Sequence, residues 1–151
     1  MPKNKIDYSK TLLYKIVCRD LNVKDCYVGH TTDFNRRKTQ HKHRCNTQTD
    51  KSYHLNLYQS IRNNGGWDNW EMVLYEKVEC VDNLEARKRE RECIELLNAN
   101  LNMYKSFTTK EEVRESRKGY NQEYRETHKI ELKEYKKNTT KFIMKKTNYE
   151  Y

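Results

Sequence analysis

The sequence predicts one small unit of mixed strands and helices, about 100 residues long, followed by a basic helical tail. Three observations carry this. Three short runs rich in Leu, Ile, Val and Tyr are parted by turn signals. Two later stretches repeat apolar residues at helical spacing. After Tyr104 the composition changes, and Lys, Glu and Tyr alternate to the end of the chain.

Taken in order, residues 1–10 form an N-terminal arm. "TLLYKIVCRD" then reads as a strand, "LNVK" between aspartates as a turn, and "DCYVGHTT" as a second strand paired with the first in a hairpin. Asp33 can N-cap a helix running to about Cys45. From Tyr53 to Asn64, Leu57, Tyr58 and Ile61 recur at helical spacing, and "NNGG" ends that helix. "NWEMVLYEKVEC" is a third strand, with the two indoles of "GGWDNW" packed beside it. A further helix starts at Asn83 and reaches about Asn98. The unit thus spans residues 11–104 and the tail residues 105–151.

Charge narrows the function. Charged residues make up 35% of the 151-residue chain and hydrophobic ones 34%, so the core is lean. The formal charge is +9 and the sequence pI about 9.2, which points to nucleic acid or another anionic surface as partner. The tail holds 13 Lys+Arg against 8 Asp+Glu, hence +5 of that total. It reads as a solvated basic helix, or as a clamp along a phosphate backbone. No run approaches the ~18 apolar residues of a membrane span, and the first residues lack the apolar core of a secretory signal. Five cysteines without a CxxC fit a reducing compartment, so a soluble intracellular protein is expected.

Two features do not fit a plain core. On the helix after Asp33, Arg37 and His41 share a face one turn apart, between Phe34 and Cys45, where a packing helix would present Leu or Ile. The strand before it places Tyr27 and Gly29 on one face, and Gly29 leaves room for a close approach. On the helix after Asn83, with Leu97 as reference, Ala86, Cys93 and Ile94 fall within about 60° and Glu90 within ~20°. A carboxylate on an apolar stripe needs a cation, a metal or hydrogen-bond donors to answer it. A competing constellation, Cys26, His30, His41 and Cys45, has ligand types suited to zinc, although four residues along a strand span about 13 Å.

The strand "LLYKI", the tripeptide "YVG", Arg37 ten residues after Tyr27, His41 four residues later, and Glu90 followed by "ECIELLN"-type sequence together resemble the GIY-YIG nuclease family. The resemblance covers about residues 11–104, with Leu12–Tyr14 and Tyr27–Gly29 as the two tripeptides. Leu12 and Leu13 depart from the family's glycine and isoleucine. Lys105 stands where the family often carries an asparagine, with Asn102 as a substitute nearby.

The resemblance implies an α+β fold, a small three-stranded antiparallel sheet flanked by helices, that cuts DNA phosphodiester bonds with one divalent ion, Mg²⁺ or Mn²⁺, per active site. It implies Glu90 as the metal ligand, Arg37 facing the scissile phosphate, Tyr14 or Tyr27 as general base, and His41 orienting water or tyrosine. Arg36, Lys38, Lys42 and Arg44 on the same helix are the candidate contacts to the nucleic-acid backbone. The Lys/Glu/Tyr-rich tail is similar to those of free-standing members in large DNA viruses and mobile elements, which suggests a homing or mobile setting and double-stranded DNA as substrate. The alternative is a nucleic-acid-binding module of the same fold that does not cut.

Overall fold

The computed structural model describes residues 6–147, with side chains through residue 139. Three strands, β1 (Thr11–Cys18), β2 (Cys26–Thr31) and β3 (Trp70–Val78), form one antiparallel sheet in the order β2-β1-β3. The expected hairpin is present, with Tyr14 opposite Gly29 and Ile16 opposite Tyr27. The described residues also form five α-helices: α1 (Phe34–Asn46), α2 (Asn56–Asn63), α3 (Asn83–Leu96), α4 (Lys110–Thr127) and α5 (Lys129–Thr147).

β1 is paired along both edges and packed on both faces, so successive residues serve different cores. Tyr14, Ile16 and Cys18 point to one side, where they meet Cys45 of α1, Leu57, Tyr58 and Ile61 of α2, and both Trp67 and Trp70. Leu13 points to the other, with Val28, Ala86 and Cys93 of α3, and Val78. Between β1 and β3 the register slips once, at Leu13/Tyr14. Such a bulge bends the strand and re-aims its side chains next to a site.

Local chemistry sets the boundaries. Asp33 accepts the Arg36 N–H at 3.0 Å and begins α1 as read from the sequence. Asp82, one residue before the expected start, caps α3 by accepting from Glu85. The second helix starts at Asn56 rather than Tyr53: the residues before it form turns in which Asp50 accepts the Ser52 N–H. It ends at two glycines with φ of 86° and 76°, a region costly for any residue with a Cβ.

The chain divides into two compact units, residues 1–107 and 108–151. Within the second, Thr109 and Glu112 form a reciprocal capping box at the start of α4, and the chain breaks at His128 into α5. The tail is therefore two helices rather than one, and no side chain of α4 is buried. No described helix is long and apolar enough to cross a membrane.

Candidate active site

Tyr14 is where the site begins. Its ring lies over Gly29, where an added Cβ would stand 2.4 Å from the hydroxyl oxygen. The space that this glycine leaves is thus filled by a side chain of the neighbouring strand, not by a ligand. The Tyr14 oxygen accepts from Arg37 Nε at 3.0 Å and lies 2.8 Å from His41 Nε2. His41 Nδ1 is in turn 2.9 Å from the Tyr58 hydroxyl. The Phe34 ring meets Tyr14 edge-on and Trp67 stacks on His41, so the imidazole is walled by aromatics.

Burial governs the protonation of this chain. It pushes Tyr14 above the usual tyrosine range, although Arg37 pulls the other way. It raises Tyr27 strongly, with Tyr14 and Glu90 adding to the effect. It drives His41 down to about 3, helped by Arg37 and Arg44. His41 is therefore neutral at ordinary pH, with one N–H and one lone pair for two hydroxyl partners.

Glu90 arrives from the other face of the sheet. Its Oε2 accepts the His30 backbone N–H at 3.2 Å and contacts His30 Nδ1. Among the described residues no hydrogen bond reaches Oε1. Hydrogen-bond donors explain why a carboxylate tolerates an apolar stripe: Glu90 faces the edge of β2, where the His30 backbone and ring answer it. Asn100 and Asn102 close the rest of that edge. Asn100 accepts from Cys26 N at 3.0 Å, and Asn102 accepts from Val28 N at 2.9 Å and donates to Val28 O at 2.8 Å. Both amide atoms of Asn102 are thereby spent on the backbone.

Tyr27, His30, Arg37 and Glu90 line both of two adjoining hollows, so they form the waist of a continuous groove. One hollow, about 360 Å³, continues past His41, Tyr58, Arg44 and Arg87 to the loop after α3; the other leads toward Arg36 and Gln40. Of the sequence-predicted residues, Tyr27, Arg37, His41 and Glu90 thus share one groove, and Tyr14 is enclosed behind it. Arg36 and Arg44 border the groove, whereas Lys38 and Lys42 line a separate surface with Arg19 and Asp68.

His41 itself is 2% exposed, and its two ring nitrogens face the Tyr14 and Tyr58 hydroxyls. The zinc constellation is not formed. His41 faces two hydroxyls, His30 faces Glu90, and among the described residues no three His, Cys, Asp or Glu side chains converge. Two participants escaped the sequence reading. Tyr58 was indistinguishable from core by its spacing. His30, directly after "YVG", was assigned to the zinc set, and only its adjacency to the tripeptide signals its place beside Glu90.

An antiparallel sheet whose central strand carries a tyrosine bonded to arginine, with a carboxylate reaching the same groove from the opposite face, has the parts of a nuclease site. The family model described as the GIY-YIG catalytic domain matches residues 10–105, more than half of the chain, and the chain belongs to that family. At the level of the family it is a nuclease, with nucleic acid as substrate. Compared with curated proteins and with solved structures, the chain has no match in either.

Proposed function

We propose that this protein is a divalent-metal-dependent endonuclease that hydrolyses DNA phosphodiester bonds, of the homing or mobile-element type. The observation that carries the reading is the convergence of Arg37, Tyr27 and Glu90 on one groove, with Tyr14 bonded to Arg37 behind them.

The donor set fits a hard cation. Glu90 offers one carboxylate oxygen, Oε1, with its other oxygen fixed by His30, and water and phosphate oxygens suit the remaining positions of Mg²⁺ or Mn²⁺. When bound, the ion supplies Lewis-acid charge neutralisation and stabilises the departing 3′ oxygen. Arg37 uses Nε on Tyr14 and Nη1 on Gln40, at 3.4 Å, which leaves further N–H donors for the phosphate. Those donors stabilise the charge that builds on phosphorus.

Tyr14 acts as proton acceptor without becoming a phenolate, a form that its burial disfavours. The Tyr14 oxygen keeps a second lone pair beside the Arg37 Nε bond, and a water donates to it. The water gives its proton to that oxygen while Tyr14 passes its own to His41 Nε2. His41 passes the Nδ1 proton to Tyr58, which borders the groove and releases a proton there. The relay ends with one hydroxide on the phosphate, one proton in solvent, no ionised member and the His41 proton on Nε2. A solvent proton entering at Tyr58 and passing back along the chain to the departing 3′ oxygen restores the first tautomer. Tyr27, on the groove wall, orients the water.

Nicking of supercoiled plasmid with Mg²⁺ or Mn²⁺ tests this, comparing wild type with Glu90→Gln and Arg37→Ala. The expected result is metal-dependent nicking lost in both variants. One observation favours the module that binds without cutting: His30 already answers the Glu90 carboxylate, with no cation needed. Folded wild type that binds DNA but leaves the plasmid intact would establish that second reading.

A further inference from the structure

We propose that Tyr104 forms a stacking subsite for an unpaired nucleobase beside the cleaved phosphate, an inference that rests on the nuclease reading. After α3 the chain runs without regular structure along the wall of the hollow that holds His41 and Tyr58, and Tyr104 stands on that wall, 77% exposed. It makes no hydrogen bond or ring contact with any described residue. Exposure alone is ordinary for a tyrosine. What is not ordinary is that the backbone on both sides is fastened while the ring stays in water.

Two residues earlier, Asn102 holds the edge of β2 through both amide atoms. Two residues later, the Ser106 carbonyl accepts from Arg87 Nε and the Ser106 hydroxyl donates to the Arg87 carbonyl at 3.1 Å. The Met103 sulfur accepts the Asn56 N–H at 3.5 Å. The ring is thus presented from a fixed platform, and a ligand stacking on it does not have to order the loop first.

The surroundings select the ligand. Three arginines, Arg37, Arg44 and Arg87, line the hollow against one carboxylate, Glu90. Cations that hold phosphates, with an aromatic face among them, are the combination by which proteins hold single strands. Bases inside a duplex already stack on their neighbours and offer no face. The subsite therefore favours a strand unpaired next to the cut, as at a flap, a nick or a frayed end.

The test is binding in EDTA, read by fluorescence anisotropy, to a labelled duplex bearing an unpaired single-stranded arm. A matched probe has abasic sugars throughout the arm. Tyr104→Ala should bind the normal probe about ten-fold more weakly, and Tyr104→Phe should bind like wild type. On the abasic probe wild type and Tyr104→Ala should be equal. Equal weakening of Tyr104→Ala on both probes would overturn the proposal, because a damaged loop or a lost backbone contact does not distinguish them. So would undiminished affinity of Tyr104→Ala for the normal probe. The readout is affinity without metal, so a wild type that fails to nick plasmid sinks the nuclease reading and leaves this result to be judged separately.

Discussion

The two faces of the sheet solve different problems with the same strand. Under α3, Leu13 and Val28 meet Ala86 and Cys93 in a plain apolar layer. Under α1 and α2, the layer contains a chain of polar groups, Arg37, Tyr14, His41 and Tyr58, each bonded to the next. Among the described residues no buried side-chain N or O atom lacks a partner. The apolar face tolerates substitution according to volume. The polar face tolerates it only if every remaining group keeps a partner. The groove lies at the edge of β2, where a carboxylate from the first face and the arginine of the second line the same hollows.

The sharpest way to break this comparison is at the waist of the groove. Arg37→Ala should lower the cleavage rate about 10²–10³-fold, the cost of removing one preorganised donor to a developing anion. A rate within about two-fold of wild type, measured on plasmid nicking, would remove Arg37 from the chemistry. Gly29→Ala comes next. Its Cβ would stand 2.4 Å from the Tyr14 hydroxyl, which Arg37 and His41 hold in place. We expect a loss of about 2–3 kcal/mol in urea unfolding, together with reduced cleavage, since relief requires moving Tyr14.

The acid side of the stability profile reports on the polar face. His41 has its pKa lowered to about 3 in the fold, against the 6.5 of an unburied histidine. Between these values the unfolded chain binds the extra proton, so stability falls as pH drops from about 6.5 toward 3. The slope approaches about 1.4 kcal/mol per pH unit for one such group. Urea unfolding at intervals from pH 7 to 5 should show this slope, and His41→Gln should flatten it; an unchanged slope would locate the effect elsewhere. Tyr58→Phe keeps the ring and leaves His41 Nδ1 without its hydroxyl. About 1 kcal/mol of stability should be lost, and cleavage should fall through kcat with KM little changed. The smallest effect is expected outside the groove, where Lys38→Ala should weaken DNA binding alike across sequences. The slope of log affinity against log salt should drop by about 1 if that lysine meets a phosphate.

How much of this was legible beforehand differs by element. The cap at Asp33 and the glycine stop at 65–66 follow from local chemistry, and both stand where the sequence placed them. The tail shows the limit of composition. Its Lys/Glu/Tyr pattern indicated helix, but not the division at His128, because neither glycine nor proline marks that point. In the site, the anomaly of Arg37 and His41 on a helix without leucines was readable from spacing alone. The partner of Glu90 was not, since His30 lies 60 residues away and its ring served equally well in an imagined zinc set.

The sequence by itself determined the order of strands and helices through α3, the basic surplus and the family, because these rest on short-range periodicity and on an ordered set of spaced residues. Only the tertiary structure decided which groups meet. It enclosed Tyr14, made His41 a neutral link between two hydroxyls, gave both amide atoms of Asn102 to a strand edge, and left Tyr104 exposed on a fastened loop. The physical reason is that partnership among polar groups depends on angstrom distances across the sheet. Those distances are set by how two cores pack against one strand, and spacing along the chain carries no record of them.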